Sequence, residues 1–85
     1  MVIIDVRSKH EYDSEHIDGA LLFPVENIAA GQMPDVDKNE EIILYCRSGA
    51  RSAMAANIMS AKGFTKVTSG GGLSHMAAAG HEIVR

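Results

Sequence analysis

Glu41-Ile42-Ile43-Leu44-Tyr45-Cys46-Arg47-Ser48-Gly49-Ala50-Arg51 decides the fold of this 85-residue chain. Its first half is an apolar run with no polar alternation after Glu41, as expected of a parallel strand covered on both faces. Its second half is a small-residue loop, after which apolar or small residues recur at Ala50, Ala53, Met54, Ile58 and Ala61, a helical period interrupted only by Asn57 and closed by Gly63. A strand running into a helix through a short loop is a βα unit, and the flanking sequence repeats the pattern.

Upstream, Val2 to Val6 is a β-branched strand whose carboxyl end carries Asp5 and Arg7. Ser8 and Glu11 have capping-box spacing and predict a helix over 9–15. Asp18-Gly19 turns the chain into a second apolar run, Ala20 to Phe23, followed by a weak helical pattern through Ile28 that Gly31, Pro34 and Asp35 end. Downstream, Lys66-Val67-Thr68 reads as a last short strand, Ser69-Gly70-Gly71-Gly72 as a flexible loop, and Leu73 to Ala79 as a final helix ended by Gly80. Strands and helices alternating at this spacing imply right-handed crossovers, hence an α/β fold with a small, mostly parallel central sheet and helices on both faces. Residues 1–85 form one domain on this reading, since the length leaves no room for a second.

Composition narrows the function classes. Hydrophobic residues at 46% and charged residues at 22% are globular values, and no apolar run reaches a membrane span. A net charge of −3 with scattered Lys and Arg argues against nucleic acid as a partner. A single cysteine and four dispersed histidines (His10, His16, His75, His81) support neither a disulfide framework nor a metal site, and no cofactor is implied. Without a leader ahead of Val2, the chain is expected to be cytoplasmic if Met1 is the native start, and periplasmic if it is a trimmed mature domain.

Chemistry converges on Cys46. It follows the central strand and precedes the longest helix, and ligands of open parallel sheets bind beyond such strand ends. The loop from Cys46 to Arg51 can turn its amides toward the sulfur, with the helix dipole behind it. Arg47 and Arg51 add positive charge, a combination that pulls a thiol pKa down, so Cys46 is expected to be a thiolate at neutral pH. Ser48, Gly49 and Ala50 leave the sulfur open to a substrate. Taken without its surroundings, a lone cysteine is more often an inert core residue. By the same reasoning Met54, Met59 and Met76 are read as core filling, and the histidines as surface or helix-end residues.

Five ordered motifs carry a resemblance: Ile4-Asp5-Val6-Arg7, Glu11-Tyr12, His16-Ile17-Asp18-Gly19-Ala20, Tyr45-Cys46-Arg47-Ser48-Gly49-Ala50-Arg51-Ser52, and Gly71-Gly72. Together the chain resembles the rhodanese-like family, in its small single-domain sulfurtransferase form. The resemblance implies a ping-pong thiosulfate sulfurtransferase that carries sulfur as a persulfide on Cys46. It also implies that the loop amides of Arg47 through Ser52 stabilise the persulfide while the arginine side chains hold the sulfonate end of the donor. Asp5 matches the family's aspartate that orients the loop, through Arg51, and Arg7 stands beside it in the same role; the plainer reading pairs Asp5 with Arg7. Expected partners are a small sulfur donor and a thiophilic acceptor, with a protein acceptor as the alternative, and the expected state is a monomer. Met76 stands where many members have tryptophan.

Two rival chemistries remain. A persulfide carrier serving a protein partner would have the same loop. A cysteine phosphatase or arsenate reductase wants five residues between cysteine and arginine, whereas four separate Cys46 from Arg51, and the shorter loop favours sulfur over phosphate.

Overall fold

In the computed structural model, which describes residues 1–85, the elements run β1 (Val2–Asp5), α1 (Lys9–Ser14), β2 (His16–Ile17), β3 (Leu21–Leu22), α2 (Val25–Ala29), β4 (Ile42–Cys46), α3 (Ala50–Ala61), β5 (Val67–Gly72), α4 (Leu73–Ala78) and β6 (Ile83–Val84). Four strands form a parallel sheet in the order β3-β1-β4-β5, so β4 lies inside it, with Ile4 opposite Leu44 and Asp5 opposite Tyr45. No helix is long and apolar enough to cross a membrane.

The unbroken apolar run of β4 is explained by two cores. Ile42, Leu44 and Cys46 point to one face, where Val25 and Ile28 of α2 and Ala55 and Met59 of α3 close over them. Ile43 and Tyr45 point to the other, into a smaller cluster with Tyr12, Ile17, Leu73 and Met76. Since successive strand residues alternate faces, a strand buried on both sides has no polar position to spare. Met59 and Met76 fill these cores as expected, but Met54 is half exposed.

That misplacement belongs to a rotation of α3. Its buried residues are Ser52, Ala55 and Met59, whereas Ala50, Ala53, Met54 and Ala61, read from sequence as the inward stripe, face solvent. The helix carries alanine on every side, so its polar pattern is too weak to fix the face, and contact with β4 and β5 decides it.

The triglycine segment is also corrected: it is not a flexible loop but the continuation of β5, with Gly72 paired to Cys46 across a bulge. Space is the reason. A Cβ on Gly72 would lie 2.2 Å from the carbonyl oxygen of Arg47, so only glycine lets β5 run this close to the sulfur loop. A two-residue antiparallel pair, His16 with Val84 and Ile17 with Ile83, completes the fold.

Candidate active site

Cys46 ends β4 and Gly49 precedes α3, so the loop is strung between the sheet's central strand and its longest helix. Gly49 adopts φ +103°, a left-handed conformation that glycine takes without strain. This turns its amide back to donate to Cys46 Sγ at 3.0 Å. Ser52 Oγ lies 3.7 Å from the sulfur and is itself held by Ser69 Oγ at 2.7 Å and the Gly49 carbonyl at 3.0 Å. The sulfur is fully buried, at 0% exposure, which corrects the expectation that the small residues Ser48, Gly49 and Ala50 leave it open: the loop closes over it.

Burial opposes the charged form of this thiol, yet its pKa is held below the ordinary value, because the Ser52 amide and hydroxyl and the amides of Gly49 and Ser48 favour the thiolate. The anion cradle expected from the loop is therefore present, but backbone and hydroxyl donors dominate it, and neither loop arginine is a leading contributor. Ala50 is exposed at the first position of α3.

The two arginines differ. Arg51 reaches back to α1, where Nη1 and Nη2 donate to the two carboxylate oxygens of Glu11 at 2.7 and 3.0 Å. Arg47 is exposed and lines an open cleft of about 470 Å³ together with Arg7, His10, Glu11, Glu15 and Leu73. Cys46 does not line that cleft.

Asp5 does not touch Arg51, which corrects the expected route of loop orientation. Its buried carboxylate accepts from Arg7 Nε at 3.0 and 3.1 Å, from Arg7 Nη2 at 2.7 Å, from the Arg7 amide at 2.9 Å and from Tyr45 Oη at 2.8 Å. Residues two apart on an extended chain face the same way, so an Asp-x-Arg strand end pairs with itself. Arg7 Nη2 also donates to the Glu15 carbonyl, and Tyr45 Oη accepts the Ile17 amide at 2.9 Å. Asp5 thus contacts Tyr45, the residue before Cys46. Burial, ahead of the neighbouring carboxylate, raises the Tyr45 phenol well above its usual range, so it stays a donor.

The sequence assigns Glu11 a helix-capping role and gives no sign of its tie to the sulfur loop. Glu11 completes the expected capping box with Ser8 and also clamps Arg51. The Arg51 hydrogen bonds, opposed by partial burial and helped by the Ser8 amide and hydroxyl, lower its carboxyl to about 2 from an ordinary 4.5. A carboxyl whose folded pKa is depressed contributes stability above the unfolded value and loses it as pH falls through the folded one. The contribution is therefore complete above about pH 4.5 and gone near pH 2. With the side chains 23% and 33% exposed, solvent screening leaves about 1–2 kcal/mol. Unfolding free energies of wild type and Glu11→Gln from urea titration should differ by that much at pH 7 and converge toward pH 2; a gap constant with pH would contradict the assignment.

Comparison with known proteins agrees with this geometry. The chain is 38% identical over 77 residues to thiosulfate sulfurtransferase PspE of Escherichia coli, a match spanning 87% of this chain and 72% of that protein. Its fold superposes on a rhodanese with anions from E. coli at a TM-score of 0.82 and 33% identity, covering 99% and 96% of the two chains. It superposes on the rhodanese-like domain of an Anabaena protein at a TM-score of 0.87 and 28% identity, covering 100% and 99%. The sequence description of the rhodanese-like domain matches residues 1–78, and the chain belongs to the rhodanese-like family of sulfurtransferases.

Proposed function

We propose that the chain is a thiosulfate-type sulfurtransferase in which Cys46 is the nucleophile. The observation that carries the reading is the Cys46 sulfur at the end of β4, held by the Gly49 amide at 3.0 Å in a loop that favours its thiolate. The thiolate attacks the outer sulfur of thiosulfate; the S–S bond of the donor breaks and sulfite leaves with its electron pair. Cys46 is left as a persulfide whose terminal sulfur carries the charge, facing the amides of Arg47 to Ser52 and the hydroxyl of Ser52. A thiophile, cyanide in an assay or a thiol in the cell, then attacks that terminal sulfur and the Cys46 thiolate departs. The E. coli relative's name supports thiosulfate as donor class.

Burial of the sulfur favours a second reading, a persulfide carrier that a protein acceptor must discharge. Incubation of the full chain with thiosulfate should add the mass of one sulfur atom, removable by reductant, and cyanide should then yield thiocyanate. A loaded protein that cyanide leaves intact and a protein thiol discharges would support the carrier. Absence of any adduct would reject both.

A further inference from the structure

The two arginines of the sulfur loop occupy different electrostatic positions. Arg51 sits in the first turn of α3, which contains no acidic residue, so a full positive charge is stacked on the helix's positive end. Its counter-charge comes from a different element. Glu11 of α1, 40 residues away in sequence, takes both ends of the guanidinium fork, at 2.7 and 3.0 Å. Capping α1 requires only that Glu11 Oε1 accept from the Ser8 amide and hydroxyl, at 3.1 Å each, which an uncharged acceptor would also satisfy. The charge of Glu11 is thus surplus to the cap, and Arg51 is where it acts.

We propose that Glu11 is a positioning residue of the sulfur loop: its bidentate clamp fixes Arg51 and takes up much of that arginine's charge, leaving Arg47 as the cation that meets an incoming donor anion. The inference rests on the reading of Cys46 as the sulfur-carrying nucleophile. Arg47 has the right setting, since it is exposed, lines the cleft and engages no carboxylate. Arg51 lies in the first turn of the helix that closes the loop from Cys46, so a Cys46 thiolate feels its charge, more weakly than the clamped Glu11 does. Glu11 and the thiolate therefore share one cation. Neutralising Glu11 passes more of that charge to the sulfur: the thiolate forms at lower pH, anions bind the loop more tightly, and a persulfide leaves it less readily. A tie that served structure alone would act in the opposite sense, because loosening the loop weakens anion binding.

The test needs no sulfur transfer. The rate of Cys46 alkylation by iodoacetamide is followed against pH, and sulfate is titrated as a protecting anion, in the full chain. In Glu11→Gln, which keeps the cap's acceptor, the alkylation midpoint should move to lower pH. Sulfate should protect at roughly three- to ten-fold lower concentration, the size of one partly screened charge pair. Arg51→Ala, approached from the other partner, should move both readouts the opposite way. Glu11→Gln added to Arg51→Ala should then change nothing further, because the effect runs through that pair. Arg47→Ala should lose sulfate protection. An unchanged or raised midpoint with weaker protection in Glu11→Gln would overturn the proposal, as would an equal effect of Glu11→Gln with Arg51 already removed. A wild type that sulfate protects but thiosulfate never loads would count against the transferase reading alone.

Discussion

Cys46→Ser should keep its fold and take up no sulfur from thiosulfate. The substituted oxygen occupies a site already furnished for a buried polar atom, with the Gly49 amide aimed at the sulfur from 3.0 Å and Ser52 Oγ at 3.7 Å. A hydroxyl there finds donors, so the penalty for burying an unpaired group does not arise, and stability should change by no more than about 1 kcal/mol. Chemistry disappears for two separate reasons. A serine hydroxyl is not ionised at neutral pH by hydrogen bonds that suffice for a thiol, and an oxygen nucleophile cannot form a persulfide. Because the chain has one cysteine, the intact mass after thiosulfate treatment is a complete readout. Wild type should gain one sulfur and Cys46→Ser none, with urea midpoints nearly coincident. An adduct of the same mass on Cys46→Ser would remove Cys46 from the mechanism.

The same loop separates what the sequence made legible from what it did not. The apolar run Ile42 to Tyr45, the glycine at 49 and the helix beyond are local signals, and the structure places each where its local chemistry requires. The Ser8–Glu11 capping box is local as well and forms as read. Three other features depended on contacts between distant residues. The inward face of α3 could not be read because alanines surround it, and packing against β4 and β5 selects Ser52, Ala55 and Met59. The glycines at 70–72 read as flexible by composition, whereas the approach of Gly72 to the Arg47 carbonyl turns them into a strand. The Glu11–Arg51 clamp joins helices whose adjacency follows only from the crossover topology. From sequence the partner expected for Arg51 is Asp5 at the neighbouring strand end, but Asp5 is committed to Arg7 two residues away.

Asp5→Ala should be the most destabilising single substitution among the polar residues, costing about 3–5 kcal/mol. Asp5 and Arg7 are 0% and 2% exposed, so the pair is held almost entirely out of water. Both carboxylate oxygens are fully used: Oδ1 accepts two hydrogen bonds from Arg7, and Oδ2 accepts two more from Arg7 and one from Tyr45 Oη. Removing the carboxylate leaves a buried guanidinium without counter-charge and a buried phenol without an acceptor. The loss is a large share of the roughly 5–15 kcal/mol that holds a domain of this kind folded. Replacing both partners, as in Asp5→Ala with Arg7→Met, should recover a good part of it, because no uncompensated buried charge remains. Tyr45 lies between Asp5 and Cys46, so at temperatures where Asp5→Ala is still folded its sulfur loading should fall as well, through a loosened end of β4. Urea unfolding of the single and double variants measures the first effect and intact mass the second. A loss below about 1 kcal/mol in Asp5→Ala, or a double variant no more stable than the single, would show that water reaches this pair and that the end of β4 is held by something else.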